Sequence, residues 1–268
     1  MKLLIAAESH VPEFEEFFEE VEHIDIDNLS PEIIEGKSDV RADEDTVRKF
    51  DAAFLRLPPR NAIFGRVLIE TMQELGVHTN YPSTAFFVMS KKNYLYYVLN
   101  ERGLPAPRTV AVATEKAARN IEQELELPAV GRRFEDLEET ESRKMYGIEE
   151  VKDFVQGSEY EEDVLLFHEL KDGEKYRCLV VGDRVISVED SSDGWRFSKD
   201  SLKYSNVSDE KKETVRETAR AIGAPVAEVL MRGEQVFDLN PNPDLEMYTE
   251  VSGKNAYSMV ADHLKEGP

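Results

Sequence analysis

Val236-Phe-Asp-Leu-Asn-Pro-Asn-Pro-Asp-Leu-Glu-Met-Tyr-Thr-Glu-Val-Ser-Gly253 ends an apolar run with an acid and an amide two residues apart, then two prolines. In a strand, side chains at i and i+2 point to the same face. Asp238 and Asn240 therefore present two oxygens side by side. Pro241 and Pro243 lack the N–H that a ladder needs, so the strand is expected to stop there. Two hard oxygen donors at a strand end suit Mg²⁺, which takes one or two protein oxygens and completes its shell with water and phosphate. A polar strand end followed by a proline turn accounts for the same letters. The stretch alone does not separate the two.

Working outward, Val226 to Met231 and Gln235 to Leu239 read as strands joined by Arg232-Gly-Glu234. Ser252-Gly253 is expected to open a last helix, Lys254 to Leu264. Ser208 caps a helix bearing Val215, Ala219 and Ile222, which Gly223 ends. Lys175 to Val181 and Arg184 to Val188 flank Gly182-Asp183 as a hairpin, and Val164 to Leu170 is a buried strand. Ile148 to Gln156 is a short helix ended by Gly157. The charged run Glu135 to Lys144 has no apolar period and reads as a loop. Leu127 to Gly131 and Arg108 to Ala113 are strands, with a helix from Thr114 to about Leu125 between them. Ser90 caps a helix from Lys91 to Arg102. This half is antiparallel strands with helices, an α+β pattern.

Before residue 85 the pattern changes. Lys2 to Ala7, His23 to Ile26, Asp51 to Leu57 and Val77 to Asn80 are strand candidates, while Glu13 to Val21 and Phe64 to Leu75 have helical spacing. Strands alternating with helices predict a parallel α/β layer.

Composition narrows the function classes. The chain has 268 residues and net charge −22, from 55 acids against 33 bases. Nucleic-acid binding runs on clustered Lys and Arg, so no nucleic-acid partner is expected. No apolar run approaches a membrane span, so no membrane partner is expected either. The acids are dispersed over a chain that is 41% hydrophobic, which fits a folded, salt-adapted (halophilic) protein. One cysteine, Cys178, excludes an internal disulfide and a multi-cysteine zinc site and fits a cytoplasmic location.

The pieces together resemble a known family. Ser90-Lys-Lys92, Leu95, Leu99 and Arg102-Gly-Leu-Pro-Ala-Pro-Arg-Thr109 resemble the start of the ATP-binding region of ATP-grasp ligases, in the branch of RimK-like peptide and glutamate ligases. Leu127-Pro-Ala-Val130, then Lys175-Tyr-Arg-Cys-Leu-Val-Val-Gly-Asp-Arg-Val185, then Ala221-Ile-Gly223 with Val226-Ala227, follow in family order. The quoted stretch resembles the metal strand and substrate loop, and the likeness covers roughly residues 85 to 265. It implies a Rossmann-like domain at 1-85, a first ATP-grasp subdomain at 86-160 and a C-terminal subdomain with the metal strand at 161-268.

The resemblance also implies chemistry: phosphorylation of a carboxylate by Mg-ATP, then attack of an amine on the acyl phosphate, with small-molecule or peptide substrates. Homo-oligomers are common among such ligases. Asp238 and Asn240 match the metal-binding acid and amide. Lys92 and Arg132 fall where lysines touch the nucleotide, Glu169 near the hinge that meets adenine and ribose, and Arg177, the implied catalytic residue, near the phosphates or acyl phosphate. Ser252-Gly253, read as a helix start, would receive a substrate carboxylate. Each has a plainer competitor: Lys92 a solvated first turn, Arg132 a cover for apolar surface, Arg177 a strand-surface charge, Glu169 one acid among many. His168 reads as structural. Arg56 and Arg60 in the first domain read either as strand-end charges or as a clamp for an anionic substrate.

Three departures complicate the match. The segment from Arg132 to Gly147, where the family has a glycine-rich loop, holds one glycine, at its end, and many acids. Leu230 falls where the family has a second metal-binding aspartate; Glu228 shares its face and is the substitute. Asp244 replaces a glycine after Pro243. Two readings follow: an ATP- and Mg-dependent carboxylate–amine ligase, or a catalytically impaired module that binds nucleotide or a protein partner.

Overall fold

The computed structural model describes residues 1–8, 10–35, 37–42, 45–112, 121–135, 138–156 and 164–267. The expected cap at Thr114 and the expected stop at Gly157 lie outside them. The first strand, β1 (Lys2–Ala6), is apolar and buried on both faces; it pairs in parallel with β2 (Glu20–Ile24) on one side and β6 (Ala52–Leu55) on the other. Between them, β3 (Leu29–Ile34), β4 (Lys37–Ala42) and β5 (Asp45–Thr46) form a small antiparallel sheet that the sequence pattern did not anticipate. After β6, helix α1 (Ala62–Glu74) crosses over to β7 (His78–Thr79), giving the parallel order β2-β1-β6-β7. The helix expected over 13–21 is instead a 3-10 turn, Pro12–Glu16, followed by β2. Its Phe14 and Phe18 are buried, as helical spacing demands, but they reach the core from a turn and from the link between it and β2.

Two consecutive helices follow, α2 (Ser83–Ser90) and α3 (Lys92–Glu101). Ser90 is thus the last residue of one helix rather than the cap of the next, and Lys91 between them is extended. Next come four antiparallel strands, β8 (Thr109–Val112), β9 (Ala129–Glu135), β10 (Glu138–Met145) and β11 (Val164–Glu169), in the order β10-β9-β11-β8. The charged run 135–144 is therefore mostly strand. It lacks an apolar period because its acids pair with arginines along the hairpin: Glu141 reaches Arg133 at 3.0 Å and Arg143 at 2.7 Å.

The last sheet is antiparallel, built from β12 (Lys175–Val181), β13 (Arg184–Asp190), β14 (Leu202–Tyr204), β15 (Val226–Arg232) and β16 (Gln235–Asn240), in the order β14-β13-β12-β15-β16. Gly173 and Gly233 let the turn before β12 touch the β15–β16 turn: a Cβ on Gly173 would lie 2.7 Å from Gly233 Cα. The helix Asp209–Ile222 is capped by Ser208, whose hydroxyl accepts from Lys211 N, and Gly223 closes it in the left-handed region. Past Asn240, Leu245–Ser252 and Ala256–Glu266 are the final helices. The last one starts at Ala256, capped by Asn255, so Ser252-Gly253 does not open it.

The C-terminal helices close against the N-terminal sheet. Leu3, Ile5 and Phe54 share one core with Leu179, Val181, Tyr248 and Val260. The helices α2 and α3 and the helix Asp209–Ile222 pack on the other face of the last sheet. Among the described residues, no helix is long and apolar enough to cross a membrane.

Candidate functional site

Strand register assembles the site. Arg177 stands opposite Leu230, Leu230 opposite Asp238, and Glu228 opposite Asn240. The acid and amide of β16 thus share a face, with Glu228 beside the amide. Lys92, at the start of α3, donates to Asp238 Oδ1 at 2.5 Å and to the Leu239 carbonyl at 2.8 Å. Arg132 arrives from β9: its Nη1 lies 3.5 Å from Asp238 Oδ2 and 3.0 Å from Glu139 Oε2. Its guanidinium stacks over the Phe237 ring at 5.3 Å. Burial opposes the Arg132 charge, but Tyr96, Asp238 and Glu139 around it raise its pKa and keep it a cation.

A second network lies one step along the strands. Glu228 is 2% exposed. Its Oε1 accepts from Arg177 Nη1 at 3.1 Å and from the Tyr248 hydroxyl at 3.0 Å, and its Oε2 accepts from Asn240 Nδ2 at 3.1 Å. Asn240 Oδ1 accepts from Asn242 N at 2.9 Å, and Asn242 Nδ2 donates to the Leu57 carbonyl at 2.7 Å. The end of β16 is thereby tied to the segment that follows β6. A buried carboxylate is tolerated because three donors and one full positive charge surround it.

Asp238, Asn240 and Glu228 supply hard oxygens, the donor type that Mg²⁺ takes. Both Asp238 oxygens face side-chain cations, which here supply the charge that a metal would bring. The donor set fits a divalent cation at Asp238 and Asn240, whereas Glu228 is engaged as a counter-ion.

Two cavities flank these networks. One, of about 500 Å³, is bordered by Asn93, Tyr96, Arg108, Leu166, Glu169 and Gln235. Asn93, the residue after Lys92, lines it, and Glu169 stands on it at the end of β11, where Glu169 Oε1 accepts from Glu126 N at 3.1 Å. The other, of about 210 Å³, is lined by Ala7, Glu8, Arg56, Pro58, Arg60 and Asn242. It sits past the carboxyl ends of β1 and β6, where parallel sheets place their ligands.

Ser252 and Gly253 stand apart from this pattern. Ser252 closes a helix and its hydroxyl donates to the Tyr248 carbonyl at 2.6 Å; Gly253 is the left-handed residue after it. A helix C-terminus presents carbonyls, so this pair lacks the N–H groups on which its carboxylate role was based. Asp244 caps that same helix at its other end, where its Oδ1 accepts from Met247 N at 3.0 Å. Tyr248, Glu139 and Asn242 are participants that sequence reasoning missed. Tyr248 and Asn242 lie inside the opening stretch, but no spacing rule ties them to Glu228 or to Leu57.

His168 is fully buried against Tyr96 and Phe237, with ring centroids 5.0 and 5.7 Å away. Burial, then the charge of Arg132, hold its imidazole well below the usual range. The unfolded chain therefore takes up a proton near pH 6.5 that the folded chain refuses. Stability from this group is present above that pH and is lost as pH falls below it. His168→Phe should flatten the fall in Tm between pH 7.5 and 5.5, read by thermal unfolding.

The similarities of the chain bear on its fold. No protein-family model matches it. A probable alpha-L-glutamate ligase of Marinomonas sp. (strain MWYL1) is 24% identical over 272 residues, 94% of this chain and 88% of the relative. Another, from Xylella fastidiosa (strain M12), is 31% identical over 105 residues, 35% of each chain. The RimK domain ATP-grasp protein of Sphaerobacter thermophilus DSM 20745 superposes with TM-score 0.72 at 14% identity, covering 99% of this chain and 100% of that one. The chain has the ATP-grasp fold, and the curated proteins it is similar to are named as probable alpha-L-glutamate ligases. The ATP-grasp ligase PsnB, complexed with a minimal precursor, gives TM-score 0.72 at 15% identity over 99% of this chain and 98% of that one. The D-alanine–D-alanine ligase of Bacillus anthracis gives 0.69 at 14%, over 99% and 96%.

Against the family pattern, this ATP-grasp chain differs in explicable ways. Its glycine-poor segment is the β9–β10 hairpin, and its Glu139 and Glu141 are matched by Arg132, Arg133 and Arg143. Leu230 lies between Arg177 and Asp238 in the register and offers no oxygen.

Proposed function

We propose that the protein is an ATP-dependent carboxylate–amine ligase. The observation that carries this reading is the meeting of Lys92 and Arg132 at Asp238, at a strand end hydrogen-bonded through Asn242 to the wall of the smaller cavity, while Asn93 beside Lys92 and Gln235 at the start of β16 line the larger one. ATP places its base and ribose in the larger cavity, with Glu169 at the ribose. Its phosphates run toward Lys92 and Arg132, which neutralise them. Asp238 and Asn240 would hold Mg²⁺, which shields phosphate charge when bound. The smaller cavity takes the carboxylate substrate, held by Arg56. The carboxylate oxygen attacks the terminal phosphorus and ADP leaves. The amine then attacks the acyl carbon and phosphate leaves. Arg177, fixed by Glu228, is assigned to the phosphoryl group. A cavity of about 210 Å³ suits an amino-acid-sized carboxylate. The setting is a salt-rich cytoplasm.

Purified protein in molar KCl should bind Mg-ATP by calorimetry and release ADP with at least one member of an amino-acid and peptide panel. Absence of both in a well-folded protein defeats the reading. Arg56→Ala is expected to raise the KM for the carboxylate substrate about 10-fold or more while leaving Mg-ATP affinity unchanged, since a charge-assisted hydrogen bond is worth about 1.5–3 kcal/mol.

Leu230 favours a second reading, an impaired module that binds nucleotide without turnover. Mg-ATP binding without ADP formation across the panel, with turnover gained in Leu230→Asp, would establish it.

A further inference from the structure

Away from the ATP-grasp site, three side chains from separate segments converge beside the N-terminal sheet. His10 follows β1, Glu15 lies in the turn Pro12–Glu16, and His23 stands on β2 opposite Ile5. One ligand atom from each lies within 4.8 Å of the others. His10 Nε2 is 3.7 Å from Glu15 Oε1, and the two imidazole rings are 3.8 Å apart. His23 Nε2 is buried and has no hydrogen-bond partner.

We propose that His10, Glu15 and His23 form a zinc site. Two imidazole nitrogens and one carboxylate oxygen are the ligand set of many open Zn²⁺ sites, with a fourth position left for water or an external ligand. That set selects Zn²⁺ or its transition-metal neighbours over Mg²⁺, which prefers an all-oxygen shell. A buried ring nitrogen without a partner forfeits a hydrogen bond, and a metal bond restores that loss. Tetrahedral bonds of about 2.0–2.1 Å put ligand atoms about 3.3 Å apart. His10 and Glu15 side chains are 60% and 61% exposed, so both are free to turn inward by the ångström required, while His23 is held by its strand. Bound zinc would tie the chain after β1 to β2.

The test uses the whole protein freed of metal by chelation and dialysed. Titration with Zn²⁺ alone should show one saturable site with micromolar or tighter Kd, and Co²⁺ should give the visible absorption of a tetrahedral centre. His10→Ala, at an exposed position, should weaken Zn²⁺ at least 10-fold and abolish the Co²⁺ spectrum, with near-UV circular dichroism unchanged. Glu15→Gln should weaken it less. His263→Ala, which breaks the separate His78–His263 contact, should leave it intact. Absence of saturable Zn²⁺ binding overturns the proposal, as does binding that survives His10→Ala undiminished.

Discussion

Asp238→Ala should abolish Mg²⁺-dependent ATP binding and lower any ADP formation by about 100-fold or more, the scale on which one preorganised electrostatic group matters. Asp238 is the only carboxylate, among the described residues, to which Lys92 is ion-paired, and Arg132 also approaches it. Removing it leaves two cations facing each other without the anion between them. Asp238→Asn keeps the shape and loses the charge, so it should resemble the alanine variant in metal dependence. Calorimetry with and without Mg²⁺ distinguishes the alternatives. If the alanine variant binds ATP more tightly and without Mg²⁺, then Lys92 and Arg132 hold the phosphates unaided and Asp238 is an internal counter-ion that restrains them.

The second large effect is on stability. Glu228→Ala should lower stability by about 3–5 kcal/mol, because it strands the Arg177 guanidinium in a buried place. Arg177 is 8% exposed and Glu228 2%. At about 2–4 °C per kcal/mol for a chain of this size, the Tm should fall by roughly 10 °C. The double variant Glu228→Leu with Arg177→Leu should recover most of that loss, since a well-packed apolar pair often replaces a buried ion pair without cost. Thermal unfolding of the single and double variants decides it. A Glu228→Ala protein that keeps its Tm but loses Mg²⁺ affinity would instead make Glu228 a metal ligand.

High salt sharpens both comparisons. At 1 M ionic strength the Debye length is about 3 Å, so dispersed surface acids are screened while buried pairs are not. Differences that persist in molar KCl therefore report the interior networks.

Much of this protein was legible in its residues. Apolar runs broken by prolines and glycines marked β1, β6, β12 and β16, and Ser208 with Gly223 bracketed their helix, because turn residues and caps act through neighbours in the chain. The pairing of Asp238 with Asn240 followed from the two-residue period of a strand. Local rules failed where partners are distant. The acids of β10 satisfy arginines across a hairpin, so their period is that of ion pairs and not of apolar burial. Phe14 reaches the core from a 3-10 turn and Phe18 from the link that follows it, at a spacing that also suits a helix. Ser252 and Asn255 both offer hydroxyl or amide oxygens near a helix junction, and the packing of Tyr248 and Val260 on the N-terminal sheet selects Asn255 as the cap.

The sequence by itself determined strands such as β1, β6, β12 and β16, the helix bracketed by Ser208 and Gly223, and the strand end with its acid and amide, because these depend on interactions within a few residues. Only the tertiary structure decided that Lys92 and Arg132 meet at Asp238, that Glu228 belongs to Arg177, Tyr248 and Asn240, and that His10, Glu15 and His23 gather on one edge. Those contacts depend on sheet register and on helices closing over both sheet faces, and long-range pairing of this kind leaves no periodic trace in the chain.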